Sequence, residues 1–200
     1  MQAAMDTSMS TYRKQLEEWL KKLDVKAERV LDVGGAQLPV DGRVNSFDVQ
    51  DYLILDLPQP HEMKGSVDLK WDINIPLPAD LQVQPFDTVF CLEVMEYIWN
   101  PVVALANLAA LTHPGGRLYI SFPYFYPPHE PYEQDALRYT LRGAMKILTV
   151  TGFELELVDW RLSEGDDMAS AIRRNGLRLS RKASVNEHRA LGFIITAKRI

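Results

Sequence analysis

The chain has 200 residues, enough for one domain with a substantial core, and at 46% hydrophobic and 24% charged it has the make-up of a soluble globular protein. A net charge of −5 gives no overall attraction for nucleic acid or for an anionic membrane surface. The single cysteine cannot form an internal disulfide, no apolar run approaches the ~20 residues that span a bilayer, and MQAAMDTSMSTYRK has no basic region followed by an apolar stretch, so a reducing cytoplasm is the expected setting.

In chain order, STYRKQLEEWLKKL (10–23) places Tyr12, Leu16, Trp19, Leu20 and Leu23 on one face at helical spacing, which predicts an N-terminal helix within 1–28. RVLDVG follows as an apolar strand. DYLILDL (51–57), SVDLKWDI (66–73) and FDTVFCLEV (86–94) read as three more, the last burying Cys91. Asn100 as N-cap and Pro101 at the first helical position open a helix that Pro114-Gly115-Gly116 stops. RLYISFPY (117–124) is a fifth strand. A helix over 140–153 is capped by Thr140 and ended by Gly152, and FELELVDW and LGFIITAKR close the chain as strands. Helices alternate with strands, and the early strands are continuous apolar runs, as in strands covered on both faces. The expected fold is α/β, a doubly wound Rossmann-like, mostly parallel sheet in a single domain over 1–200.

In such a fold ligands bind beyond the carboxyl ends of the strands. Asp32 lies just before Gly34-Gly35, strand two ends at Asp56, strand three at Asp72-Ile73 and strand four at Glu93. No cluster of Lys or Arg accompanies these carboxylates, which disfavours a phosphate ligand. G-x-x-x-x-G-K-[ST] is missing, and Gly34, Ala36 and Pro39 occupy the three glycine places of G-x-G-x-x-G. A ligand with a ribose diol, an amino group and a positive centre suits the carboxylates, and S-adenosylmethionine has all three. A carboxylate ending strand two accepts both ribose hydroxyls; one ending strand three accepts from the adenine amino group.

Five pieces then fall in order. VLDVGGA looks like V-L-D-x-G-x-G, and Asp56 matches an acidic residue after strand two. DINIPLP is similar to D-x-x-x-L-P, FDTVFCLEVMEYIWNP to F-D-x-V-x-x-x-E-V-L-E-H-x-x-x-P, and LTHPGGRLYISFP to L-x-P-G-G-x-L-x-x-x-x-P. Over roughly 29–160 the chain resembles a class I S-adenosylmethionine-dependent methyltransferase. The resemblance implies a seven-stranded sheet with the last strand antiparallel. It also implies S-adenosylmethionine as cofactor, held by Asp32, Gly34, Gly35, Asp56, Leu57, Asp72, Ile73 and Glu93, with Glu93 beside the methionine part. PPHEPYEQDALRYTLRGAMKILTVTGFELE resembles a branch with H-x-x-P, then D-x-x-R-[YF]-T, found with glycan and cell-surface polysaccharide pathways. Three departures stand out. Ala36 and Leu38 replace the later glycines, AQLPVDGRVNSFDVQ has no helical period where a helix should follow, and Tyr97 replaces a histidine.

His129 is the candidate catalytic residue, since a neutral histidine can take the proton of a hydroxyl acceptor near pH 7. Aromatic residues between Tyr119 and Tyr139 are expected to form an acceptor pocket or a plug over the sheet end. Asp135 and Arg138 suit an ion pair that fixes their loop. No metal site is expected: Tyr97 breaks the family cluster at Glu93 and Glu96, and His61, His113 and His188 lack ligand spacing. The segment 161–188 is basic (Arg161, Arg173, Arg174, Arg178, Arg181, Lys182) and reads as an insertion between the last two strands, either a lid over an anionic acceptor or a solvated helix. The expected activity is methyl transfer to a small-molecule or glycan acceptor, a hydroxyl by preference, with no nucleic-acid or membrane partner. The alternatives are a catalytically degenerate scaffold of the same fold and a nicotinamide oxidoreductase.

Overall fold

The computed structural model describes residues 10–60, 66–78, 81, 83–163, 186 and 189–200. Most of the expected 161–188 insertion lies outside the described residues. Among those described, no helix is long and apolar enough to cross a membrane.

Seven strands form one sheet in the order β3-β2-β1-β4-β5-β7-β6. The strands β1 (Asp24–Val33), β2 (Ser46–Asp56), β3 (Leu69–Lys70), β4 (Phe86–Cys91) and β5 (Thr112–Pro123) pair in parallel. β7 (Ala190–Arg199) runs antiparallel between β5 and β6 (Phe153–Leu162). This is the expected seven-stranded sheet with an antiparallel last strand. From β1 the chain builds outward to β2 and β3, then returns to add β4 on the other side. Strand order therefore reverses between β1 and β4, where a crevice opens at the carboxyl ends.

Adjacent residues on each central strand point to opposite faces, and both faces are covered. Val30, Phe90, Tyr119 and Ile194 pack against Leu16 and Leu20 of α1 (Thr11–Leu20). Their neighbours Leu31, Cys91, Ile120 and Ile195 pack with Leu105 and Leu108 of α2 (Pro101–Leu111) and Ala144 and Leu148 of α3 (Leu141–Val150). Two buried faces explain the unbroken apolar runs. Leu16 and Leu20 are fully buried, worth about 1.5–3 kcal/mol each. The absent helix after β1 is thereby accounted for: residues 34–45 form turns and bends, and α1 with Val40 covers that face instead.

Several boundaries differ from expectation, each for a local reason. The third strand shrinks to Leu69–Lys70 because Asp68 is taken by Ile54, its carboxylate accepting from Ile54 N at 2.8 Å. The fourth ends at Cys91, before Glu93 turns into the left-handed region at φ 57°. α2 stops at Leu111, ahead of the Pro-Gly-Gly, where the Thr112 hydroxyl donates back to Leu108 O at 2.6 Å. Asn100 makes no side-chain cap; its N–H donates to Asn74 Oδ1 at 3.1 Å. Thr140 does cap α3, accepting from Gly143 N at 3.1 Å.

Candidate active site

At the reversal point the carboxyl ends of β1, β2 and β4 open into a cleft of about 1020 Å³. Gly34, Asp56, Leu57, Asp72, Ile73 and Glu93 line it, as do Glu96, Tyr97, Trp99, Tyr126 and His129, with Tyr12 and Arg13 entering from α1. Arg13 is the only Arg or Lys among the described lining residues.

Asp56 is held from two sides. Its Oδ2 accepts from Ala36 N at 3.1 Å and its Oδ1 from Leu57 N at 2.8 Å. Among the described residues these are the hydrogen bonds that the carboxylate accepts, and each oxygen has a further lone pair on a residue that lines the cleft. Gly34 lets the loop pass under this carboxylate: its φ is 77°, its N–H donates to Leu55 O at 2.8 Å, and a Cβ there would strike the Val94 side chain. Asp72 forms a turn on itself, Oδ1 accepting from Asn74 N and Nδ2, both at 2.9 Å.

Two of the expected cofactor residues sit elsewhere. Asp32 does not reach the cleft; it is 3% exposed, and its Oδ2 accepts from the Tyr52 hydroxyl at 2.6 Å and Val40 N at 2.8 Å. Its work is to tie the 34–45 loop to β2. Burial pushes its carboxyl up to about 6, against the pull of the Tyr52 hydrogen bond. Gly35 serves Asp32 in turn, since a Cβ there would lie 2.6 Å from the Asp32 carboxyl carbon.

The loop that carries Asp72 and the buried Ile73 is fastened by Asn107 of α2. Its Nδ2 donates to Ile73 O at 3.0 Å and Ile75 O at 2.8 Å, while its Oδ1 accepts from Leu77 N at 3.0 Å. Sequence reading passed over Asn107, although a lone buried amide inside the apolar helix PVVALANLAAL is itself a signal that backbone groups need a partner there.

At the opposite end Glu93 meets Arg161. The Arg161 Nη1 donates to Oε1 at 2.6 Å and Nη2 to Oε2 at 3.0 Å, and the Ser121 hydroxyl donates to Oε1 at 2.8 Å. Arg161, grouped from sequence with the basic segment, is instead 1% exposed. Burial opposes ionisation of Glu93, but the guanidinium outweighs it and holds the carboxyl below its usual range. Glu96, one turn on, has the opposite fate. It is 2% exposed, its Oε2 has no hydrogen-bond partner among the described residues, and burial together with the charge of Glu93 raises its pKa well above the carboxylate range.

His129 joins this end of the cleft. Its Nε2 lies 3.1 Å from the Tyr97 hydroxyl and 3.9 Å from Glu96 Oε1, and its Nδ1 lies 3.3 Å from Asp135 Oδ2. Asp135 also accepts the His129 N–H at 2.9 Å and pairs with Arg138, the expected loop-fixing ion pair. The aromatic group divides. Tyr126 lines the cleft and stacks on Tyr12 with ring centroids 4.4 Å apart, Tyr119, Phe122 and Tyr139 are buried in the core, and Phe125 and Tyr132 face solvent.

No family model matches the chain. Two curated relatives are the ubiquinone biosynthesis O-methyltransferases of Xanthomonas euvesicatoria pv. vesicatoria, 31% identical over 117 residues, and of Coxiella burnetii, 32% identical over 111 residues. These matches take in 54% and 50% of this chain but 48% and 46% of the relatives, so the chain spans about half the length of the curated relatives it matches. Among solved structures, an S-adenosylmethionine-dependent methyltransferase from Mesorhizobium loti matches 94% of this chain and 98% of its own, with a TM-score of 0.58 and 15% identity. The N-methyltransferase NodS from Bradyrhizobium japonicum in complex with S-adenosyl-L-homocysteine matches 96% and 89%, with a TM-score of 0.59 and 12% identity. The [4+2]-cyclase SpnF has the same fold at a TM-score of 0.58, with 16% identity over 92% of this chain and 80% of its own, so this architecture alone does not fix a reaction. By strand order and by these likenesses, the chain has the fold of the class I S-adenosylmethionine-dependent methyltransferases and is a distant sequence relative of O-methyltransferases.

Proposed function

We propose that the chain is an S-adenosylmethionine-dependent methyltransferase acting on a hydroxyl of a small-molecule or sugar acceptor. The observation that carries this reading is the order of groups along the cleft. Asp72, just beyond β3, comes first, Asp56 at the end of β2 follows, and Glu93, just beyond β4, stands at the far end. An adenine amino group, a ribose diol and a cationic amino-acid end fit that order, and a polyphosphate does not. Oxygen as the methylated atom draws support from the O-methyltransferase relatives. The sugar acceptor rests on the H-x-x-P and D-x-x-R-Y-T stretches.

When bound, S-adenosylmethionine supplies the electrophilic methyl group. The chain aligns the acceptor oxygen with it and handles one proton. His129 is the group for that proton: it lines the cleft with Nε2 beside the Tyr97 hydroxyl and Glu96, and Asp135 holds its backbone N–H. Tyr97, Trp99 and Tyr126 supply rings on which an acceptor can stack. The test is a thermal-shift comparison of S-adenosylhomocysteine with NAD. A rise in melting temperature with S-adenosylhomocysteine alone is the expected result; a rise with NAD alone would point to an oxidoreductase, and no shift with either to a scaffold.

A further inference from the structure

Glu93 is an unusual side chain to leave to chance. It follows β4 in a left-handed conformation that non-glycine residues adopt rarely, and the buried carboxyl of Glu96 lies one turn on. Left to themselves, two carboxyl groups in one low-dielectric pocket would share a proton, because both cannot ionise cheaply. Arg161 prevents this. It reaches from β6 behind the cleft and meets both oxygens of Glu93 in a fork, at 2.6 and 3.0 Å. The guanidinium is itself anchored. Its Nε and Nη2 donate to Tyr12 O at 3.1 and 2.8 Å, and its plane lies over the Tyr12 ring, 3.1 Å from the centroid. Ser121 completes the clamp by donating to Oε1, and it also accepts the Glu93 N–H at 2.8 Å. Among the described residues, the donors to Oε1 are Arg161 Nη1 and the Ser121 hydroxyl and to Oε2 Arg161 Nη2, which leaves one lone pair of Oε2, on a residue that lines the cleft.

We propose that Arg161 is a positioning residue for the cofactor: from behind the cleft it holds Glu93 ionised and aimed so that the free lone pair of Oε2 receives the cationic methionine end of S-adenosylmethionine. This rests on the methyltransferase reading above. The charged and titratable groups around Glu93 are Arg161 from β6, Tyr12 and Arg13 from α1, and Glu96 and Tyr97 on the turn that follows it, with His129 beyond Glu96. Of these only Arg161 makes a bidentate pair with it. Without that fork, burial and Glu96 raise the Glu93 pKa, and the anion is lost as pH falls.

The experiment is calorimetric binding of S-adenosylhomocysteine and of adenosine, which lacks the methionine part, between pH 6 and 8.5. Proteins compared are the native chain, Arg161→Met, Arg161→Lys and Glu93→Gln. The native chain should bind S-adenosylhomocysteine with little pH dependence. Arg161→Met should lose about tenfold or more at pH 6.5 and regain part of that as pH rises, because one unit of pKa shift is a tenfold effect. Arg161→Lys should restore part of the loss. Glu93→Gln should bind weakly at every pH, which also serves should Arg161→Met not fold. Adenosine affinity should be the same in all four. A flat Arg161→Met profile, parallel losses for both ligands, or native affinity in Glu93→Gln would overturn the inference. Absence of S-adenosylhomocysteine binding by the native chain would remove the methyltransferase reading and this inference together, an outcome distinct from failure of the variants alone.

Discussion

Asp32 and Asp56 end neighbouring parallel strands, and their fates differ by what stands next to them. Asp56 has two backbone N–H groups and an open cleft; Asp32 has Tyr52, Val40 and no solvent. Asp56→Ala should weaken S-adenosylhomocysteine binding by about 10- to 100-fold, since hydrogen bonds to a charged group are worth roughly 1.5–3 kcal/mol, with little change in melting temperature; titration calorimetry on the folded variant checks it. Asp32 behaves oppositely. Its folded pKa, about 6, lies above the unfolded value, so its contribution to stability is full in acid and lost as pH rises through about 6. Asp32→Asn keeps an oxygen to accept from Tyr52 and Val40 and has no charge to bury. Its melting temperature relative to the native chain should therefore rise between pH 4.5 and 7.5, by the equivalent of up to about 3 kcal/mol; an unchanged difference across that range would contradict the assignment. Both aspartates could be placed at strand ends from the sequence. That one faces the cleft and the other faces Tyr52 could not, because the deciding partner lies on another strand, twenty residues away.

Among the elements, α2 shows how a helix that touches no ligand shapes a site. Asn107 fastens three backbone groups of the 73–77 loop, which directly follows Asp72, the proposed adenine contact. Asn107→Leu should destabilise the chain by about 2–4 kcal/mol, since it strands those groups away from partners, and should loosen the loop. Hydrogen exchange at residues 73–77 should speed up, and adenosine should bind less well, while the Glu93 end is undisturbed. The periodicity of α1 and the cap of α3 were legible because they depend on near neighbours in sequence. The seat of α1 was not. Gln15 exchanges hydrogen bonds with the backbone of Leu162, and Trp19 donates to Asp159, contacts that exist only after β6 joins the sheet. Arg161 was misread for the same reason: its neighbours in sequence are basic, and its neighbours in space are Glu93 and Tyr12.

For the whole molecule, strand order does most of the functional work. Alternating helices and strands with continuous apolar runs made the sheet legible, and the reversal between β1 and β4 puts three strand ends around one opening. Across that opening, on the proposed reading, the groups divide into a nucleoside end at Asp56 and Asp72 and an acidic, proton-handling end at Glu93, Glu96 and His129. Loss of the base should spare the first and stop the second. With an acceptor in hand, His129→Ala should lower turnover by about 10²-fold or more while S-adenosylhomocysteine affinity is unchanged; native turnover across pH would remove His129 from the reaction. The account as a whole stands on one binding event, and calorimetric titration of the native chain with S-adenosylmethionine and S-adenosylhomocysteine reads it directly. It predicts saturable binding of both at one site per chain; no heat from either at millimolar concentration would contradict it.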